Sequence, residues 1–108
     1  MSNKLALISA AKEVSSTVAS LVSTYHQISS VRKRDIIILK ENIQVFRATC
    51  RSKGMGELIR TNIEEISKTQ SLIDSQNLSP FALEMAMSQM GQLNKMLTKN
   101  LEEYMNGY

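Results

Sequence analysis

The sequence predicts an all-α fold, a three- or four-helix bundle that is oligomeric and has a long N-terminal helix, bent or broken near its middle. Three observations predict it. The 108 residues include only four glycines and one proline, whereas an all-β chain of this length needs many turn residues to join its short strands. The aromatic fraction is 5%, with no Trp, which leaves the core to aliphatic side chains and Met and suits helix-on-helix packing. Long stretches also place apolar residues three and four apart. The length is that of one domain, and an apolar fraction of 43% with 21% charged residues is ordinary for a folded protein.

The first element starts near Asn3. Leu7, Ala11, Val14, Val18, Leu21, Tyr25 and Ile28 alternate steps of four and three and line one helix face. The opposite face collects Ser9, Ser16, Ser20, Ser23 and Gln27, small polar residues that suit either close approach of a second helix or plain exposure. Beyond Ile28 the pattern loses phase, then resumes as Ile36, Leu39, Ile43, Phe46 and Cys50. No Gly or Pro separates the two runs. A helix over about 3–52 therefore either continues through 29–35 with a rotated stripe or breaks there, with Ser30 or Asp35 as N-cap. Unbroken, such a helix reaches about 75 Å, so it must bend or extend into an oligomer.

The second half of this segment is apolar on two sides. Val31, Ile38 and Val45 recur every seven residues away from the Ile36-to-Cys50 stripe, and Ile37 adds to the run. A helix apolar on two sides is central to its bundle or lies at an oligomer contact. Val31, Ile36, Ile38, Leu39, Ile43, Val45 and Phe46 are accordingly the candidate interface residues.

Residues 53–56 form a linker, with Gly54 placed as a helix C-terminal cap. A helix over 57–75 follows, with Ile59, Ile63, Ile66 and Ile73 inward and Glu64 paired to Lys68 at i,i+4. After a linker at 76–79, Ser79-Pro80 reads as an N-cap hydroxyl followed by proline at the first helical position. The last helix, over 80–105, puts Leu83, Met87, Met90, Leu97, Leu101 and Tyr104 on one face. Its methionines, Met85, Met87, Met90, Met96 and Met105, read as core filling or as the lining of an adaptable peptide groove.

Charge is uneven beneath the net +3: residues 1–30 carry +1, 31–60 carry +5 and 61–108 carry −3. Either the basic middle packs beside the acidic C-terminal part, or it meets an anionic partner. Arg32, Lys33, Arg34, Lys40, Arg47 and Arg51 are the candidate anionic-partner contacts, with Lys33, Lys40 and Arg47 along one helix edge. Interleaved aromatics for base stacking and a helix-turn-helix pattern are missing.

No catalytic constellation emerges. Hydrolytic chemistry needs a nucleophile, a base and an orienting group, and the chain has one His and one Cys. His26 lies off the centre of its apolar face, and Cys50 continues core positions, although Arg47 and Arg51 nearby could activate its thiol. No metal-ligand spacing is present, Glu64-Glu65 and Glu102-Glu103 point apart on their helices, and no cofactor is expected. A lone cysteine forms no intramolecular disulfide, so a cytoplasmic location is expected. The apolar run near Lys4 is cut short by Lys12-Glu13, which argues against a signal peptide. Residues 14–31 hold no Asp, Glu, Lys or Arg but many hydroxyls, a poor membrane span.

These features point to a non-enzymatic protein–protein interaction module, of the adaptor, chaperone, inhibitor or structural-subunit kind, acting through helix faces and self-associating. A second reading is a small basic helical protein that binds nucleic acid through residues 32–51. A third is a peripheral binder of anionic membrane surfaces.

Overall fold

The computed structural model describes residues 3–51 and 56–107 and folds them into four helices: α1 (Asn3–Ile28), α2 (Lys33–Thr49), α3 (Glu57–Ser75) and α4 (Pro80–Gly107). The N-terminal segment breaks between α1 and α2. Ser29 takes the left-handed conformation with φ 54°, and its N–H donates to Tyr25 O at 2.7 Å, the bond that closes a helix in the left-handed C-terminal motif. The break turns two stripes that are out of phase toward one core. It also resolves the length problem, since the longest dimension is 44 Å, about that of 28 helical residues.

Neither Ser30 nor Asp35 caps α2. Arg32, in extended backbone, holds the N-cap position without a side-chain capping bond, and its carbonyl accepts from Asp35 N–H at 3.0 Å and Ile36 N–H at 3.3 Å. Asp35 instead occupies the first turn, where a negative charge complements the helix dipole. Cys50 closes α2, its N–H donating to Phe46 O at 2.8 Å. The expected cap at Gly54 lies outside the described residues.

Gly56 precedes α3 with φ 61°, and a Cβ there would stand 3.0 Å from Leu7 Cδ1. Glycine at this point serves both the left-handed backbone and the close approach to α1. α4 starts as its sequence dictates: Ser79 Oγ accepts from Ala82 N–H at 3.2 Å, and Pro80 is the first helical residue.

The helices run up, down, up and down. α1 packs on α2 and α4, and α3 packs on α4 and α2, so α2 and α4 stand at opposite corners. Leu7, Ala11, Val14, Val18 and Leu21 of α1 are buried with Ile59, Ile63 and Ile66 of α3 and Met87, Met90, Leu97 and Leu101 of α4. Tyr25, Ile73, Leu83 and Tyr104 are partly buried against this core. Ile28, expected on the inward stripe, is exposed because the helix ends there.

Polar ties fix the register of neighbouring helices. Asn42 Nδ2 donates to Thr17 Oγ1 at 2.6 Å between α2 and α1, and Asn100 Nδ2 to Asn62 Oδ1 at 2.6 Å between α4 and α3. Asn62 is buried, so a slip of one residue would strand its amide at a cost of about 1–3 kcal/mol.

Candidate interaction surfaces

The two apolar sides of α2 have different fates. Ile36, Leu39, Ile43 and Phe46 are buried in the chain's own core, and Val31 is half-buried against it. Five of the seven candidate interface residues thus serve the bundle itself. Ile38 and Val45 remain 41% and 56% exposed, with Ile37 beside them at 44%. A corner helix has neighbours on two flanks and a core in front, and none of the described residues covers its outer face.

The six candidate cationic contacts also divide. Arg47 lies against α3, where Nε donates to Glu64 Oε2 at 2.9 Å and Nη2 to Glu64 Oε1 at 2.8 Å, with a further bond from Nη2 to Ser67 Oγ at 2.9 Å. This bidentate pair holds the Glu64 carboxyl below its ordinary range and the Arg47 guanidinium still more firmly charged, against a smaller opposing effect of burial. Glu64 therefore does not pair with Lys68, as the i,i+4 spacing suggested; Lys68 Nζ meets Glu65 Oε2 at 3.4 Å instead. Arg51 Nε turns back to Ala48 O at 3.0 Å. Arg32, Lys33, Arg34 and Lys40 are exposed and make no ion pair among the described residues.

A second exposed apolar stripe lies on α4. Phe81, Met85 and Met96 are 72%, 58% and 52% exposed, at spacings that keep them on the outer side of the helix. Met87 and Met90 are buried in the core, so the methionines divide between core and surface and do not converge as a groove. Phe81 was not legible as a surface residue from sequence, where it adjoins core positions; its separation of four from Met85 was the available signal. On α1, Ser9, Ser16, Ser20, Ser23 and Gln27 are all exposed. By length and composition Lys4–Ile28 could cross a membrane, yet in the bundle it is a core helix with one buried face.

The residues weighed for chemistry stay apart. His26 is exposed, with its ring 5.9 Å from that of Tyr25. Cys50 is buried, and Arg60 donates from Nε to its Sγ at 3.2 Å and from Nη2 to its carbonyl. That contact raises the Arg60 pKa further above its usual value and ties the start of α3 to the end of α2. Among the described residues no three His, Cys, Asp or Glu side chains gather as metal ligands. Comparison with protein families, with curated proteins and with solved structures finds no match to this chain.

Proposed function

We propose that this chain is a non-enzymatic protein–protein interaction module that works through its outward helix faces and associates with itself. What supports the reading above all is the exposure of Ile38 and Val45 on a helix whose other apolar stripe is already committed to the core. Fully burying such side chains is worth about 1.5–3 kcal/mol each, and at 41% and 56% exposure about half of that gain is left unused in the isolated bundle. Replacing Ile38 and Val45 together with Asp should shift the protein toward monomer in sedimentation equilibrium while its helical circular dichroism persists. A double variant that unfolds, or one that associates as the wild type does, refutes the role given to this face.

A second reading, nucleic-acid binding through residues 32–51, draws on the exposed, unpaired Arg32, Lys33, Arg34 and Lys40. Arg47 and Arg51 are engaged elsewhere, which shortens the cationic stripe and favours the protein-binding reading. Tight, steeply salt-dependent mobility shifts with mixed DNA and RNA near 0.15 M salt would reverse that preference.

A further inference from the structure

We infer that copies of the bundle associate face to back, the α2 face of one copy seating on the α4 face of the next. This rests on the self-association proposed above and specifies its geometry. Besides scattered exposed residues such as Leu5, Leu58 and Leu72, the bundle groups three exposed apolar residues on each of two helices, Ile37, Ile38 and Val45 on α2 and Phe81, Met85 and Met96 on α4. The two helices stand at opposite corners, so a pairing of either stripe with itself leaves the other bare. The side of the bundle that bears either stripe extends at most 44 by 22 Å, and a stable interface of ordinary size takes roughly 800 Å² per partner, so the contact must include the flanking helices.

Charge decides between like-to-like and face-to-back pairing. The α1–α2 hairpin carries seven cationic against three anionic side chains, and the α3–α4 hairpin four against seven. Exposed cations of the first that make no ion pair among the described residues include Arg32, Lys33, Arg34 and Lys40, against exposed Glu13 and Glu41; on the second, exposed Asp74, Glu84, Glu102 and Glu103 make none and outnumber the exposed Lys95 and Lys99. Two α2 faces brought together would set cations against cations, whereas α2 against the α3–α4 side brings opposite signs together. α2 also begins with three cations and no side-chain cap, an arrangement the helix dipole disfavours. A carboxylate from the next copy relieves it. Because the joined faces point in opposite directions, the contact is heterologous and does not close on itself, so copies add in a row.

The test uses two variants of the full chain, Ile38→Asp with Val45→Asp, and Phe81→Lys with Met85→Lys, each checked for helicity by circular dichroism. Each variant alone should sediment as monomer. An equimolar mixture should form a one-to-one heterodimer that grows no further, since each copy keeps one working face. Wild type should grow past dimer, and its association should weaken severalfold as salt rises beyond a Debye length of about 3 Å. A Phe81/Met85 variant that associates as the wild type does, with no gain on mixing, overturns the face-to-back geometry while leaving self-association standing. A wild type that stays monomeric overturns both. If the Phe81/Met85 pair loses helicity, Gln at the same positions replaces it in the same mixing experiment; loss of helicity by the Ile38/Val45 pair overturns the α2 face.

Discussion

Ser29 shows how much one backbone conformation decides. A side chain in the left-handed region costs about 1–2 kcal/mol relative to the right-handed helix, and Ser29 accepts this cost at φ 54° so that α1 can stop and α2 can reverse. Glycine there removes the strain but loses about 0.5–1 kcal/mol to its freer unfolded chain. Ser29→Gly should therefore stabilise the protein by up to about 1 kcal/mol in urea denaturation. The opposite sign, a loss of about 0.5–1 kcal/mol, is what glycine causes inside a continuous helix, and it would contradict the hairpin. This residue also explains why the break was only half legible. Ser79-Pro80 announces its helix through local chemistry, a hydroxyl acceptor and a fixed φ, whereas Ser29 turns because two out-of-phase stripes must share a core. No local signal records that demand.

At the scale of elements, the three-four spacing located the inward stripes of α1, α3 and α4, because burial of an amphipathic face is a one-dimensional pattern. Which partner a charged side chain takes depends on how two helices are set against each other, and the sequence alone left Glu64 with Lys68. The antiparallel packing of α2 on α3 gives Glu64 to Arg47. A double-mutant cycle with Arg47→Gln and Glu64→Gln should return a coupling of about 0.2–1 kcal/mol, modest because both side chains are about half exposed. The coupling has a pH signature. The Glu64 carboxyl is depressed in the folded state, so its contribution is fully present above the unfolded carboxylate value of about 4.3 and fades as pH falls through the lower folded value. A coupling that stayed constant through that acid range would place the glutamate away from Arg47. The same logic of position applies to the two apolar sides of α2. The spacing revealed both, while only the corner location of the helix determines that Ile38 and Val45, and not Ile36 or Leu39, face outward.

The whole molecule is an antiparallel four-helix bundle made of a basic hairpin and an acidic one. The uneven charge was visible along the sequence; the structure shows Arg47 neutralising Glu64 within the bundle, and leaves Arg32, Lys33, Arg34 and Lys40 exposed. The excess of apolar surface on α2 was legible, but not which side of the helix the core takes. Periodicity flagged a helix with too much apolar surface, and the fold was needed to divide that surface into core and exterior and to add Phe81 on the far corner. Sedimentation velocity of the wild-type chain across a concentration series tests the central claim, that these outer faces are contact surfaces for another copy. If they are, the weight-average mass climbs from the 12.1 kDa of one chain past that of a dimer as concentration approaches about 100 μM. A mass that stays at one chain throughout would contradict it.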